Sequence, residues 1–528
     1  MTRTRLYLFD TTLRDGAQTS GVDFSVEDKR QIAHALDELG VDYVEGGWPG
    51  ANPTDTAFFA EPPALKRAKF TAFGMTKKPG RSAANDEGLA PVLNARTAAT
   101  CLVGKAWDYQ VEVALDIPLA DNLANIADSM AAIAAQGREP IFDAEHFFDG
   151  YKANPDYAIA ALKAALDGGA RWLVLCDTNG GALPSEVARI THAAAKAAGA
   201  GRLGIHTHND TGNAVANTLA AIDAGARHVQ GTINGLGERC GNANLISLIP
   251  TLMLKAPYRD HFETGVPPDR LRTIGQVSRL LDEILNRAPD RHAPYVGANA
   301  FAHKGGLHAS AVAKDPRTYE HVDPESVGNR RKIPVSDQAG RSNLVARLSE
   351  FGLNPDPRDA RVAALLATIK EREHLGFSYD GAEASLELLA RRALGTVPEF
   401  FRVESFKVSV ERRHNARGET VTVSEAVVKV VVDGERILSV GEGNGPVNAL
   451  DKALRKDLGR YSAQLADLHL VDYKVRILTG GTEAVTRVMI ESADGHGNRW
   501  STVGVSPNIV DASFEALIDS VTYRLLRP

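Results

Sequence analysis

Short runs of apolar and β-branched residues recur through the first half of the chain, at 6–9, 43–46, 70–74, 100–103, 140–144, 172–176, 203–206 and 228–233. Most of these runs are apolar at most positions, the pattern of a short strand buried on both faces of a parallel sheet. Between them apolar residues fall three and four apart, which predicts amphipathic helices at 25–39, 122–136, 156–167, 185–198 and 214–224. The first helix opens with Ser25 and Asp28 and stops at Gly40, a start and a stop signal. Eight strands alternating with helices predict a (β/α)8 TIM barrel. A doubly wound open sheet is the alternative, but no glycine-rich dinucleotide fingerprint follows the first strand.

The barrel reading gives scattered polar residues a common place, because active sites of such barrels sit at the C-terminal ends of the strands. Arg14 and Asp15 follow the first strand and Glu45 ends the second. Lys105 follows the fourth, Glu145 and His146 end the fifth, and Asp177 and Thr178 end the sixth. His206 and His208 end the seventh, and residues 234–242 follow the eighth. Residues i and i+2 of a strand share a face, so His206 and His208 present two imidazoles side by side. That geometry suits one divalent metal ion.

Beyond about residue 290 the alternation stops. A Gly- and His-rich segment (294–310), a basic stretch (329–332) and two helical stretches (358–372 and 382–394) lead to Pro398, which marks a linker. The remainder contains an internal repeat. Residues 439–441 with Ala449, Ala453 and Leu454 match residues 502–504 with Ala512, Ala516 and Leu517. Each copy predicts two strands (426–432 and 436–440; 484–490 and 499–503), a glycine-containing turn and a helix. The expected architecture is a barrel over 1–285, a helical linker region over 286–397, and an α+β regulatory domain of two β-β-α-type repeats over 398–528. The turns at 441–445 and 504–508 are expected to offer backbone N–H groups to a carboxylate.

Composition narrows the class of function. A formal net charge of −6 gives no support for nucleic-acid binding. No run is long enough to span a bilayer, and the N-terminus leads straight into a strand. Three widely spaced cysteines suggest reduced thiols and a cytoplasmic protein. Cys240 is read as a small filler residue beside a rim loop.

A divalent ion held by Asp15, His206, His208 and Asn242 would have mixed oxygen and nitrogen ligands, a set suited to Zn, Mn, Co or Mg. Spacing alone leaves this open, since barrel rims also bind phosphates. Arg14 is a candidate partner for a carboxylate or oxyanion, with an ion pair to Asp10 or Glu45 as the structural alternative. Glu145 and Asp177 are candidate acid–base groups or supports.

Three motifs, DTTLRDGAQ (10–18), HTHND (206–210) and GERCGNA (237–243), together resemble the 2-isopropylmalate synthase and citramalate synthase family. Within it, GGWPGANP (46–53) and GKAWD (104–108) are most similar to the citramalate synthase branch. Ala17 stands where many members carry Glu. The resemblance implies a metal-dependent, Claisen-type condensation of acetyl-CoA with a 2-keto acid, pyruvate in the citramalate branch, followed by thioester hydrolysis. It implies that Asp15, His206, His208 and Asn242 bind the metal and that Arg14 neutralises charge on the keto oxygen or enolate. It implies that Glu145 is an active-site glutamate, that Thr178 binds the keto-acid carboxylate, and that His308 and Tyr319 come from the partner subunit of a homodimer. His303 is read as structural. Isoleucine is the effector that a citramalate route implies. Pocket size near Phe73, Met75, Lys105 and Trp107 is expected to decide between pyruvate and 2-ketoisovalerate, the substrate of a 2-isopropylmalate synthase. A hydroxymethylglutaryl-CoA lyase on the same barrel is disfavoured by the C-terminal repeat.

Overall fold

Eight parallel strands pair in sequence order and close into a barrel: β1 (Tyr7–Asp10), β2 (Tyr43–Gly47), β3 (Lys69–Met75), β4 (Ala99–Lys105), β5 (Glu139–Glu145), β6 (Trp172–Asp177), β7 (Leu203–Thr207) and β8 (His228–Gly231). The computed structural model describes residues 3–199, 201–332, 341–356, 358–414, 416–456, 458–479 and 484–527. Alternation along the strands divides the side chains. Leu8, Val44, Leu102, Phe142 and Leu173 join the core shared with the helices, while Phe9, Tyr43, Cys101, Ile141 and Trp172 fill the barrel interior.

The helix α1 (Val26–Leu39) has the predicted capping box between Ser25 and Asp28, and it ends at Gly40, whose φ of 104° requires glycine. The helices α3 (Leu119–Ala135), α4 (Pro155–Asp167), α5 (Pro184–Ala198) and α6 (Ala214–Asp223) lie where the apolar spacing predicts. The helix α2 (Pro53–Ala60) does not announce itself by spacing. Its apolar residues Ala57, Phe58 and Phe59 are consecutive, and it is set by the Asn52 cap and by Pro53 in its first turn. No helix among the described residues is long and apolar enough to cross a membrane.

Contacts divide the chain into two units, Met1–Phe301 with Val322–Arg330, and Ala302–His321 with Arg331–Pro528. In the second unit the helices α7 (Arg341–Glu350), α8 (Ala360–His374) and α9 (Glu383–Ala393) pack through Leu348, Leu365, Ile369 and Leu386. The repeat follows as two three-stranded antiparallel sheets, β9 (Arg402–His414), β10 (Thr420–Val432), β11 (Glu435–Gly443), and β12 (His469–Ile477), β13 (Thr486–Ala493), β14 (Arg499–Ser506). Each sheet precedes a helix, α10 (Pro446–Lys456) or α11 (Ile509–Leu526). Each copy thus carries one strand more than expected. The extra strands, β9 and β12, lie at sheet edges and are largely exposed, yet both alternate apolar and polar residues, Phe406, Val408 and Val410 in one and Val471, Tyr473, Val475 and Ile477 in the other.

Gly441 and Gly504 serve close packing. A Cβ on Gly441 would lie 2.7 Å from the carbonyl oxygen of Ala449, and one on Gly504 would lie 2.0 Å from that of Ala512. Both glycines let a helix backbone rest on a strand, at the same place in each copy.

Candidate active site

The C-terminal ends of the barrel strands surround a cavity of about 700 Å3, lined entirely by barrel residues. Arg14 and Asp15 reach it from the turn after β1. The turn is fixed from below: the Thr12 N–H and hydroxyl both donate to the Asp10 carboxylate at 2.9 Å. The Lys29 ammonium pairs with Asp55 and donates to the carbonyls of Leu13 (2.8 Å) and Gly46 (2.9 Å).

β7 carries His206 inward, and His208 follows on the same face. Their Nε2 atoms lie 3.3 Å apart, and Asp15 Oδ2 is 3.4 Å from His206 Nε2 and 3.9 Å from His208 Nε2. All three side chains are buried, and their donor atoms converge closely enough to hold one cation. Asn242 joins through a β-bridge to His208. Its Nδ2 donates to the Leu236 carbonyl at 3.3 Å, while its Oδ1, like Asp15 Oδ1, is buried without a hydrogen-bond partner. Unpaired buried acceptors are costly. Two such oxygens with two imidazoles make a donor set that fits a divalent ion.

Charge supports that fit. Burial opposes a charged Asp15, but Arg14, His206 and His208 outweigh it and hold its carboxyl well below the usual range. Burial and then the neighbouring His206 push His208 down to about 3, which keeps the ring neutral and its lone pair available.

His206 is oriented from behind. Its Nδ1–H donates to Gln230 Oε1 at 2.8 Å, and Gln230 Nε2 donates to Asp143 Oδ1 at 2.9 Å. An amide has one accepting and one donating end, so this chain of bonds places a His206 proton on Nδ1 and turns Nε2 toward Asp15. Burial, with Glu45 adding, raises Asp143 to about 6.

Arg14 is also held in place. Its Nε donates to Glu45 Oε2 at 2.7 Å, a terminal nitrogen lies 3.3 Å from Asp15, and the guanidinium centre sits 3.9 Å over the Phe73 ring. The Thr11 hydroxyl donates to the same Glu45 oxygen. Burial opposes the charge on Arg14, but Glu45 and Asp15 outweigh it and strengthen it. The ion pair with Glu45 therefore exists, and it is buried rather than on the surface.

Residues 5–277 match the family described as HMGL-like, 295–375 the homocitrate synthase post-HMGL domain-like family, and 380–525 the LeuA allosteric (dimerisation) domain. The chain is 50% identical to the (R)-citramalate synthase of Synechocystis sp. (strain ATCC 27184 / PCC 6803 / Kazusa), over 99% of this chain and 96% of that protein. It is 48% identical to the (R)-citramalate synthase of Aquifex aeolicus, over 99% and 98%. It is 32% identical to a probable 2-isopropylmalate synthase of Methanopyrus kandleri, over 99% of both chains.

The chain belongs to the citramalate and 2-isopropylmalate synthase family. It is an enzyme of the acyltransferase class.

Other residues singled out in the sequence are distributed as follows. Glu145 and Thr178 line the cavity; Glu145 pairs with Lys105, and the Thr178 hydroxyl accepts the His146 N–H at 2.8 Å. Asp177 is pushed up to about 6 by burial, and its carboxylate accepts the Ala182 N–H, a loop-supporting bond. Phe73 and Trp48 line the cavity, but Met75, Lys105 and Trp107 are not among its lining. Trp107 packs on Tyr109 and His146 instead. Cys240 is exposed rather than a filler. His303 is buried, 3.2 Å from Glu320, in the structural role expected of it. His308 and Tyr319 fall in the second unit, where their rings stack with centroids 4.1 Å apart, both exposed.

Lys29, Asp143 and Gln230 are site residues the sequence reading missed. A signal existed for one of them: Asp143 is a carboxylate in the middle of the apolar run 140–144.

Proposed function

We propose that this enzyme condenses acetyl-CoA with pyruvate and hydrolyses the thioester, releasing (R)-citramalate and CoA for isoleucine biosynthesis. The carrying observation is the convergence of Asp15, His206, His208 and Asn242 beside the buried Arg14. Its support is full-length identity of about half to (R)-citramalate synthases.

A divalent ion (Mn, Mg, Zn or Co) held by Asp15, His206, His208 and Asn242 supplies Lewis-acid polarisation of the ketone when bound. Arg14, pinned by Glu45 and Asp15, stabilises the negative charge that develops on the keto oxygen without having to reorganise. The Thr178 hydroxyl, on the cavity wall, binds the keto-acid carboxylate. A base removes a proton from the acetyl methyl group, the resulting carbon bonds to the ketone carbon, and the ketone oxygen takes up a proton. Water then bonds to the thioester carbonyl carbon, the C–S bond breaks, and CoA leaves with a proton. We assign the base to His308 with Tyr319 beside it, both contributed by a second copy of the chain, and assign Glu145 to orienting the water.

Preference for pyruvate rests on rigid aromatic walls. Phe73 is held under the Arg14 guanidinium, and Trp48 meets it edge-on with ring centroids 5.6 Å apart. Neither side chain can move to admit a branched keto acid without breaking these contacts. The test is CoA release with a panel of 2-keto acids and identification of the product. Comparable kcat/KM for 2-ketoisovalerate would move the assignment to 2-isopropylmalate synthase, the second reading supported by the 32% identical relative.

The C-terminal repeat is assigned to homodimer formation and to isoleucine binding that lowers activity, with a coupling of about 1–3 kcal/mol. Support comes from the match to the LeuA allosteric (dimerisation) domain. Isoleucine titrated against activity, beside leucine and valine, tests this; no inhibition and no calorimetric binding by any of them leaves only dimerisation.

A further inference from the structure

We propose that the opposite end of the barrel carries a second binding site, for a ligand bearing a diphosphate group. The N-terminal ends of β1 and β6, the residue preceding β8, and α5 surround a cavity of about 560 Å3. It shares no lining residue with the cavity at the other end. Arg5, Arg171, Lys196 and Arg227 line it together with His192, and no carboxylate does.

Arg5 is neutralised by Asp42 at 2.5 Å. Among the described residues, Arg171, Lys196 and Arg227 have no carboxylate within ion-pair distance. The acid acting on Arg227, Asp223, does so from longer range and accepts the Tyr258 hydroxyl at 3.2 Å. Three cations without an ion-pair partner around one cavity repel one another, and an anion among them relieves that repulsion. Their gathering is not a by-product of a basic protein, since the chain is net acidic.

Two of the three cations are in place before any ligand arrives. Arg171 donates from one terminal nitrogen to the Gly201 carbonyl at 3.2 Å and lies 3.8 Å over the ring of Trp172, itself only 1% exposed. Arg227 donates from one terminal nitrogen to the carbonyls of Ile222 (2.8 Å) and Ala226 (2.7 Å) and sits 5.1 Å over the Phe262 ring. Each guanidinium keeps its Nε and its second terminal nitrogen for an anion, in the fork geometry that matches phosphate oxygens. Lys196, exposed on α5, supplies a mobile third charge.

Three cations exceed the need of one carboxylate and match the charge of a diphosphate. The cavity is larger than that group alone, and Tyr7, Trp172 and Ala195 add apolar surface to its wall. An organic diphosphate therefore fits better than inorganic pyrophosphate.

Calorimetric titration of the full-length protein with inorganic pyrophosphate and with ADP separates these sources. Chelator is kept present so that no metal at the other end of the barrel captures the probe. The expected result is one site per chain, weakened by added salt and weakened about tenfold or more by Lys196→Glu. Arg14→Gln, at the other cavity, leaves this binding unchanged. Tighter binding of ADP assigns an organic diphosphate; equal binding assigns the inorganic one. Arg171→Gln is a second variant with the same expected direction. No saturable binding of either probe at millimolar concentration overturns the proposal, as does binding that Lys196→Glu combined with Arg171→Gln leaves unchanged.

Discussion

Gln230→Leu removes an amide from behind His206 while keeping apolar bulk in the barrel interior. The substitution strips His206 Nδ1–H of its acceptor at 2.8 Å and Asp143 Oδ1 of its donor at 2.9 Å. Each buried polar group left unpaired costs about 1–3 kcal/mol, so the two together cost about 2–6 kcal/mol of stability at most. The larger consequence falls on the metal site. With Nδ1 unpaired, the ring can hold its proton on Nε2, the atom that must face the ion. Loss of such an outer partner typically weakens metal binding about 10–100-fold, or about 1.4–2.8 kcal/mol. The assay is calorimetric titration of the metal-free protein with Mn or Co, beside a thermal melt to show that the variant is folded. The double variant Gln230→Glu with Asp143→Asn reverses the polarity of the inner bond. The new amide at position 143 then donates to a carboxylate that still accepts from His206, and affinity is expected to return to within about threefold of the parent. Gln230→Glu alone places two carboxylates in hydrogen-bond contact and forces them to share a proton. A folded Gln230→Leu protein with the parent's metal affinity refutes the orientation argument. A parent protein that binds no divalent ion refutes the metal assignment instead.

Three further outcomes are expected. His206→Ala and Asp15→Asn each lower turnover about a hundredfold or more while the melting temperature changes little, because each removes a ligand at a strand end rather than core volume; full activity at ordinary metal concentration refutes the ligand set. Equal mixing of inactive His308→Ala and inactive His206→Ala chains restores roughly a quarter of parental activity after subunit exchange, since half the dimers then hold one intact site of two; no recovery after verified exchange shows that each chain uses its own His308. Burial raises Asp10 to about 7, so its folded form binds a proton more tightly than the unfolded chain, and the stability it contributes is lost as pH rises from the ordinary carboxyl value near 4 to about 7. Asp10→Asn should therefore gain on the parent by up to about 1.4 kcal/mol per pH unit between about pH 4 and 7 and gain no more above 7, read by chemical unfolding of the metal-free proteins at pH 5, 6, 7 and 8, and a difference independent of pH below 7 refutes the assignment.

The chain's own pattern was enough to place all eight barrel strands, α1 with both its caps, and part of the cavity lining, Arg14, Asp15, Glu145, Thr178, His206 and His208 among it. These are local properties: apolar spacing follows from which face an element buries, and a strand's period of two puts His206 and His208 on one side whatever surrounds them. The motif at Arg14 and Asp15 was legible for the same reason, since it sits directly after a strand. What escaped was what depends on partners distant in the chain. Gln230 looks like an ordinary polar residue on a short strand until closure of the barrel sets it between His206 and Asp143, the latter 87 residues away. The edge strands β9 and β12 are a different case: alternating apolar residues at 406–410 and 471–477 mark them in the sequence itself. Gly441 and Gly504 read as turn glycines in the sequence; the helices packed on them decide that they are points of close contact. The basic cavity is assembled from residues 5, 171, 196 and 227, each unexceptional where it stands. Only closing the sheet gathers their charges, because a pattern records which face a residue takes, whereas the field at a point is summed over everything the fold brings near it.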